Sequence, residues 1–217
     1  MAAAGKDGPD ALDAILAVTP AQRADLAAYV ALLKKWQPAK NLVAPAALAE
    51  IWRRHVADSA QALAVRPEAR RWLDIGSGAG FPGLVTATLM KGRDGAHVHL
   101  AESNGRKVAF LRTVIRELGL PATVHPIRIE SLATRSAPDL GDIDAVSARA
   151  LAPLADLLGL AAPILERGAA GVFHKGQDFA SEVALATQSW VFDLIEHPSR
   201  IDPGGRVAVL TSVRPRA

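Results

Sequence analysis

The residues most able to do chemistry lie in one glycine-rich segment, Leu73-Asp74-Ile75-Gly76-Ser77-Gly78-Ala79-Gly80-Phe81-Pro82-Gly83. An apolar strand pattern runs into this segment and a helical pattern follows it. Glycines at such a turn let the backbone approach a ligand closely, while the N–H groups at the start of the helix face that ligand. The segment therefore predicts a cradle for a nucleotide-type ligand.

Two registers fit these glycines, and they favour different ligands. The dinucleotide pattern G-x-G-x-x-G matches Gly78, Gly80 and Gly83. By itself that pattern is a weak signal, and it should begin directly after the strand, whereas two residues intervene here. The register that starts at Gly76 reads G-x-G-x-G and has Asp74 two residues before it. An acid there repels a pyrophosphate but suits a ligand with an ammonium or sulfonium group, and S-adenosylmethionine carries both.

Further carboxylates follow the next predicted strands. Glu102 lies about 20 residues beyond the glycines, which is the spacing of an acid that binds ribose hydroxyls. After the third predicted strand, Ile129 would cover an adenine ring and Glu130 would accept from its amino group. The alternative is that the glycines form only a tight turn and that both acids are ordinary strand-end or loop carboxylates. A P-loop is excluded, because no Gly-Lys-Ser or Gly-Lys-Thr follows the glycines.

The 217-residue chain contains no cysteine. This excludes disulfides, thiolate metal sites, cysteine-held iron–sulfur clusters and cysteine nucleophiles. Among methyltransferases it excludes the cysteine adduct at pyrimidine C5 and radical methylation. Methylases of exocyclic amines typically carry Asn/Asp-Pro-Pro-aromatic after the fourth strand, where this chain has Ser147-Ala148-Arg149-Ala150. Transfer to an atom with a free lone pair, such as guanine N7, or to an oxygen remains. N7 bears no proton, so alignment and electrostatics would suffice without a general base.

The sequence also predicts the order of the helices and strands that position these residues. Thr19-Pro20-Ala21-Gln22 predicts a helix start, Pro38 is expected to end that helix, and another helix is expected over about 46–64. Beyond Arg71, strands alternate with helical patterns, which is typical of βαβ units on a parallel sheet. The expected strands lie near 71–75, 96–101, 122–127, 143–147, 169–174, 189–196 and 206–213. The last two predict an antiparallel hairpin, because the loop between them has no room for a crossover helix.

Composition supports a globular chain. Half of the residues are apolar and the formal net charge is +3, which permits an acidic partner such as nucleic acid without requiring one. No stretch reaches the roughly 20 apolar residues of a membrane span, and the N-terminal residues MAAAGKDGPD lack the apolar region of a secretory signal. We expect a cytoplasmic, monomeric protein with a partly flexible N-terminus over 1–18, a helical extension over 19–68 and a main domain over 69–217.

Several blocks of the sequence together resemble one family. In chain order they are Lys35-Trp36, Asn41-Leu42, Arg54-His55-Val56-Ala57-Asp58-Ser59, the loop from Asp74 to Gly83, Ser147-Ala148-Arg149-Ala150 and His174-Lys175-Gly176-Gln177. From about residue 20 to residue 213 the chain closely resembles the ribosomal RNA small subunit methyltransferase G family, also called glucose-inhibited division protein B. The Arg-His-x-x-Asp-Ser and Lys-Gly-Gln blocks are more specific than the glycine loop. The chain departs from the family pattern at 37–39 and 43–45, so the resemblance covers the N-terminal substrate contacts less well.

The resemblance implies an α/β fold of the Rossmann-like class I S-adenosylmethionine-dependent methyltransferases. Its sheet would be mostly parallel and seven-stranded, with an antiparallel C-terminal hairpin and an N-terminal helical extension. The implied reaction methylates N7 of guanine 527 in 16S rRNA, using S-adenosyl-L-methionine, giving S-adenosyl-L-homocysteine and needing no metal. The partner would be 16S rRNA or the assembling small ribosomal subunit. The alternative is a small-molecule methyltransferase, which would share the cofactor loop.

Specific residues acquire expected roles from the pattern and the resemblance. The predicted cofactor contacts are Asp74, Gly76, Gly78, Gly80, Phe81, Glu102, Ile129, Glu130 and Arg149. Arg149 is expected to anchor the cofactor carboxylate or to donate to guanine O6, and Lys175 to meet an RNA phosphate or the target guanine. The alternative for both is a solvated surface cation. His55 and Asp58 are expected to fix a helix over the cofactor mouth, although Arg54 and Asp58 could form only an exposed ion pair.

Two clusters of basic residues predict an RNA footprint, with solvated helix faces as the alternative. The first is Lys34, Lys35, Lys40, Arg53 and Arg54 in the extension, and the second is Arg106, Lys107, Arg112 and Arg116 on the helix after the second strand. Trp36 could stack on a base, but its helical spacing from Leu33 is more typical of a core residue.

Overall fold

The computed structural model describes residues 7–40, 42–134 and 138–216. The α-helices are α1 (Pro20–Lys40), α2 (Asp58–Val65), α3 (Gly83–Met90), α4 (Gly105–Leu118), α5 (Leu154–Leu165) and α6 (Phe179–Ala186). The strands are β1 (Arg71–Ile75), β2 (His97–Ala101), β3 (Ala122–His125), β4 (Ala145–Arg149), β5 (Ala170–Lys175), β6 (Trp190–Pro198) and β7 (Arg206–Pro215). Shorter 3-10 helices span Pro9–Ala14, Pro45–Glu50 and Ile129–Ala133, and a π-helical turn spans Trp52–Ala57.

All seven strands form one sheet in the order β3-β2-β1-β4-β5-β7-β6. The five strands from β3 to β5 pair in parallel, whereas β7 runs antiparallel to both of its neighbours. The predicted α/β class, the seven-stranded, mostly parallel sheet and the antiparallel C-terminal hairpin are confirmed. Strand order reverses between β1 and β4, and in open sheets of this kind ligands bind beyond the carboxyl ends of the strands at such a switch point.

Apolar residues on the two faces of the sheet build two separate cores. Trp72 and Leu73 are neighbours on β1, yet Trp72 is buried in one core and Leu73 in the other, because side chains alternate across a strand. The first core also takes residues from α1, α3 and α4, and the second takes residues from α5 and α6. Helices therefore cover both faces and leave the carboxyl ends of the central strands for a site.

The N-terminal segment packs against this frame. In α1, the predicted start is confirmed: the Gln22 N–H donates to Thr19 Oγ1 at 3.2 Å and the Thr19 N–H to Gln22 Oε1 at 2.9 Å, a reciprocal capping box. Within residues 7–18, where we expected a partly flexible terminus, Leu12 of the 3-10 helix is completely buried.

Two predictions about the extension are wrong. Pro38 does not end α1, which continues to Lys40; the Gln37 side chain closes the final turn by accepting from the N–H groups of Leu42 and Val43 at 2.9 and 3.0 Å. The single helix expected over about 46–64 is instead a 3-10 helix, a π-helical turn and α2 in succession. The carboxylate of Asp7 accepts from two N–H groups at the start of the π-helical turn, so a distant residue stabilises a form that helical periodicity does not reveal.

Among the helices of the described ranges, none has the length and apolar character to cross a lipid bilayer.

Candidate active site

The glycine turn after β1 depends on having no side chains at its bends. Gly80 has φ +100°, and a Cβ there would lie 2.4 Å from Leu84 Cδ1. At Gly83, the first residue of α3, a Cβ would lie 2.6 Å from the carboxylate of Asp74. Gly76 and Gly78 also have positive φ, at +68° and +58°. The turn is therefore a specific backbone shape that larger residues would distort.

Asp74 lies beneath this turn and has no exposed surface. Its carboxylate accepts from the Ser147 hydroxyl at 2.7 Å and from the Gly83 N–H at 3.2 Å. Burial raises the pKa of Asp74 to about 6, although hydrogen bonds from Ser147, Ser77 and Gly83 oppose the rise. Asp74 thus joins β1, β4 and the start of α3 from below, and its predicted contact with a ligand ammonium stays a prediction.

Glu102 faces the turn from the end of β2. Its Oε2 accepts from the Gly78 N–H at 2.9 Å and its Oε1 from the Asn104 N–H at 2.7 Å. An ionised carboxylate has about four acceptor positions, so each oxygen keeps one for a further donor. Two neighbouring ribose hydroxyls need two such acceptor positions, so the residues present fit the ribose of S-adenosylmethionine.

The residues predicted for the adenine lie in the 3-10 helix Ile129–Ala133. Ile129 is half-buried and packs against the second core, whereas Glu130 is exposed. This arrangement offers an apolar surface beside an exposed carboxylate at the carboxyl edge of the sheet. We call the turn, Glu102 and this segment the glycine-turn side of the site.

The other half of the site is centred on Arg149 at the end of β4. Its Nη1 donates to Asp58 Oδ2 at 2.9 Å and to the Arg54 carbonyl at 2.8 Å, and its Nη2 contacts His55 Nδ1. The guanidinium carbon lies 5.6 Å from the centre of the Phe81 ring, within the range of a cation–π contact. Arg149 therefore connects the extension to the glycine turn.

His55 and Asp58 hold the extension against the sheet; that this segment covers the cofactor mouth stays a prediction. The His55 ring stacks on Phe81 with ring centres 5.0 Å apart. The His174 Nε2 at the end of β5 lies 2.9 Å from the carbonyl oxygen of Asp58. Burial lowers the pKa values of both histidines, to about 4 in His55, and the two rings are therefore neutral at neutral pH.

Lys175 takes a different position from the one expected of a free cation. Its ammonium pairs with Glu182 and donates to the Ala152 carbonyl at 3.0 Å, and its side chain is 8% exposed. Contact with RNA or with the target base stays a prediction, and one of the three ammonium N–H groups is left for it.

Two adjoining clefts open beside Arg149. The larger, about 630 Å³, lies between the extension, the ends of β4 and β5 and the loop 199–205 that joins β6 to β7. Its basic lining residues are Arg53, Arg54, Arg149, Lys175 and Arg206, against the acids Glu50, Asp58 and Asp202. The smaller, about 310 Å³, runs under residues 148–153. We call the residues that line these clefts the cleft side of the site.

Side chains of the extension fix the far wall of the larger cleft. Arg53 Nη2 donates to the Ile201 carbonyl at 3.0 Å, and Gln61 Nε2 lies 3.1 Å from the Ser199 hydroxyl. The Arg200 N–H donates to Gln61 Oε1 at 2.8 Å. Loop 199–205 and the extension therefore form one connected wall.

The basic clusters divide between two places. Arg53 and Arg54 border the larger cleft, and Lys34 and Lys35 are exposed on α1. Arg112 and Arg116 are exposed on α4, where Arg116 pairs with Glu117. The side chain of Lys40 lies outside the described part of the chain. The clusters are thus on different elements, and only the first includes residues of the cleft side.

Sequence reasoning missed Tyr29. This residue of α1 is completely buried, and its hydroxyl donates to the Ala79 carbonyl of the turn at 2.6 Å. Its ring packs near Phe81 and Phe110. A tyrosine next to Val30 on the apolar face of a helix was the available signal, because a buried hydroxyl needs a partner. Trp36, in contrast, packs against Phe110 with ring centres 5.7 Å apart, which supports its assignment to the core.

Comparisons with known proteins show the family of the chain. The family model described as rRNA small subunit methyltransferase G matches residues 22–201. Relatives named ribosomal RNA small subunit methyltransferase G include one from Methylorubrum populi, 52% identical over 195 residues and covering 89% of each chain. Another, from Brucella canis, is 44% identical over 206 residues and covers 94% of this chain and 95% of its own.

Solved structures share the fold at low sequence identity. A methyltransferase from Geobacter sulfurreducens superposes with a TM-score of 0.58 at 14% identity, covering 92% of this chain and 94% of its own. The cofactor-bound Rv0187 from MTB gives a TM-score of 0.54 at 18% identity, covering 87% and 89%. Because the family model and the relatives span most of its length, the chain belongs to the rRNA small subunit methyltransferase G family.

Proposed function

We propose that this chain transfers the methyl group of S-adenosylmethionine to N7 of guanine 527 in 16S rRNA. The observation that carries the proposal is that Arg149 joins a turn suited to the cofactor to a basic cleft suited to a nucleotide. The two halves meet at the switch point of the sheet, so a methyl donor on one side and a nucleophile on the other would be within reach.

The glycine-turn side fits the cofactor in three respects. The turn lets the backbone approach closely, Glu102 keeps acceptor positions for ribose hydroxyls, and Ile129 offers an apolar surface for the adenine. When bound, S-adenosylmethionine supplies an electrophilic methyl group on a sulfonium sulfur. Arg149 lies against Phe81 of the turn, and a guanidinium suits the cofactor carboxylate.

On the cleft side, the chain has to align the acceptor rather than deprotonate it. N7 of guanine has a free lone pair, which forms the new bond to carbon while the carbon–sulfur pair leaves with sulfur. No proton is released in this step, and burial makes His55 and His174 weaker bases by lowering their pKa values, which is compatible with a reaction that needs no general base. Exclusion of water and fixed orientation would supply the rate acceleration.

The proposed substrate implies a cytoplasmic location and an RNA partner. The cleft is large enough for one nucleotide and its phosphate, and its lining has more basic than acidic residues. Most recognition of the surrounding RNA would come from shape and phosphates. We expect a monomer to bind naked 16S rRNA or the assembling subunit.

Methyl incorporation into ribosomal RNA tests the proposal. The purified protein would be incubated with methyl-labelled S-adenosylmethionine and either naked 16S rRNA or small subunits that lack the modification. We expect label in 16S rRNA, mapped to one guanine by the chemical lability of N7-methylguanosine. Label that appears only in small metabolites would favour a small-molecule methyltransferase, and label at another atom of the RNA would contradict the N7 assignment.

A further inference from the structure

His55 is held in one orientation by two independent contacts. Its ring stacks on Phe81 with an interplanar angle of 26°, and its Nδ1 contacts Nη2 of Arg149. A guanidinium nitrogen can only donate, so Nδ1 must be the acceptor. In a neutral imidazole the other nitrogen then carries the proton. Burial lowers the pKa of His55 to about 4, with Arg149 adding to the effect, so the neutral form prevails near pH 7.

The contacts thus leave His55 with a donor at Nε2. This nitrogen is buried, and it has no hydrogen-bond partner within the part of the chain that the structure describes. His55 also lines the larger cleft. Leaving a buried donor unpaired is costly, and the residue lies between Phe81 of the glycine turn and Arg149 of the cleft side. Protein atoms cover Nε2 itself, so a ligand would reach this already oriented donor once the covering side chains shift.

Arg149 is less available for the same task. Its Nη1 already donates to the Asp58 carboxylate and to the Arg54 carbonyl, and its Nη2 contacts His55. Three of the five guanidinium N–H groups are used in this way. Arg149 therefore orients His55, while its remaining N–H groups stay available for the cofactor carboxylate.

Resting on the proposed function, we propose that His55 Nε2–H donates to O6 of the acceptor guanine and thereby selects guanine. O6 lies beside N7 on the same edge of the base. A donor at O6 would turn N7 toward the methyl group. Adenine carries an amino donor in place of O6, so two donors would face each other and both would lose their partners. Sites built for such hydrogen bonds reject a base that cannot make them.

A pair of variants separates the two nitrogens of the ring. His55→Asn places its amide near the Nδ1 position, so it can still accept from Arg149 but has nothing at Nε2. His55→Gln can place an N–H group near Nε2. Each enzyme would be tested in single-turnover methyl transfer on small subunits that carry guanine or 2-aminopurine at the target position. 2-Aminopurine keeps N7 but lacks O6.

On guanine, we expect His55→Asn to transfer about tenfold more slowly than the wild type, the scale of one lost hydrogen bond with an unpaired partner. His55→Gln should stay within about threefold of the wild type. On 2-aminopurine, the wild type should be as slow as His55→Asn is on guanine, and His55→Asn should lose nothing more. The dissociation constant for S-adenosylmethionine, measured without RNA, should be unchanged in both variants.

Several results would overturn the proposal. If the wild type methylates 2-aminopurine as fast as guanine, O6 is not recognised, and this comparison needs no variant to fold. If His55→Asn is equally impaired on both bases, its ring acts only through Phe81 and Arg149. A tenfold loss of affinity for S-adenosylmethionine would assign the donor to the cofactor carboxylate. If the wild type modifies no ribosomal RNA at all, the proposed function fails, which is a separate outcome from the failure of His55.

Discussion

The glycine-turn side and the cleft side of the site are built by different means. On the glycine-turn side, backbone shape and carboxylates prepare the surface, and the linked residues are close in sequence: Glu102 and Gly78 are 24 positions apart. On the cleft side, cationic and imidazole side chains from separate segments meet, and Asp58 is 91 positions from Arg149. A widely shared cofactor can be held by a local motif, whereas a particular acceptor needs a surface assembled from the whole chain.

The largest effect should follow from breaking the link between the two sides. We expect Arg149→Ala to lower single-turnover methyl transfer to small subunits by a hundredfold or more, because Asp58 loses its cation and the extension is no longer aligned with the turn. Misplacement of reacting groups by about 1 Å can cost a hundredfold. Circular dichroism should show a retained fold.

Arg66→Ala is the matched control for this variant. Arg66 is also partly exposed and pairs with a carboxylate, that of Glu68, at 3.0 Å, but it lies outside the lining of both clefts. It should transfer methyl groups at the wild-type rate. If Arg149→Ala stays within threefold of the wild type, the two sides are not coupled through this residue.

A second effect should be confined to the glycine-turn side. In Glu102→Gln, one carboxylate oxygen becomes an amide nitrogen that faces a backbone donor and cannot accept from ribose. Hydrogen bonds to a charged group are worth about 1.5–3 kcal/mol, so the dissociation constant for S-adenosylmethionine should rise about thirtyfold. Calorimetry would measure it, and RNA affinity should not change.

Glu130→Ala tests how far this side extends, since glutamine would keep an amide oxygen that can accept from the adenine amino group. Glu130 is exposed and lies in the predicted adenine segment. A weaker affinity for the cofactor in this variant would place the adenine amino group on its carboxylate, and an unchanged affinity would leave the adenine to apolar contacts. If Glu102→Gln binds the cofactor like the wild type, the ribose is held elsewhere.

Sequence reasoning reached the glycine-turn side more fully than the cleft side, and for a physical reason. The strand period, the glycine spacing and the acid after β2 are patterns within a short stretch of sequence. They therefore predict that Gly76, Gly78 and Glu102 lie together. The π-helical turn depends on Asp7, which is 45 positions from Trp52. Helical periodicity contains no information about such a contact, so residues 46–64 are predicted as one helix. The wall that the extension forms with loop 199–205 is not predicted at all.

Tyr29 shows that the local glycine motif also depends on a residue that is distant in sequence. Its hydroxyl donates to the carbonyl of Ala79, and both residues are buried. We expect Tyr29→Phe to lower the free energy of unfolding by about 1–2 kcal/mol, since the carbonyl would lose its partner. Urea denaturation would measure the loss.

The same substitution should weaken the affinity for S-adenosylmethionine by a few-fold, because the turn is held less firmly. A suitable control is Tyr29→Leu, which removes the ring as well and should cost more stability. If Tyr29→Phe is as stable as the wild type and binds the cofactor equally well, the glycine turn is self-sufficient and the contrast between local and assembled sides becomes sharper.

The smallest effect should distinguish which basic cluster meets RNA. Four basic residues of the cleft side pair with carboxylates, namely Arg54, Arg149, Lys175 and Arg206. Arg53 is exposed and, within the described ranges, has no carboxylate within ion-pair distance. We expect Arg53→Ala to weaken RNA binding by a few-fold and to reduce the salt slope by about one, because one phosphate contact and its released counterion are lost.

Arg112→Ala is the comparison, since Arg112 is exposed on α4 and borders neither cleft. Filter binding of 16S rRNA across a range of salt concentrations would give both slopes. If only Arg53→Ala changes the slope, the RNA lies along the cleft side and α4 is a solvated face. Equal changes in the two variants would extend the footprint to α4, beyond the lining of both clefts.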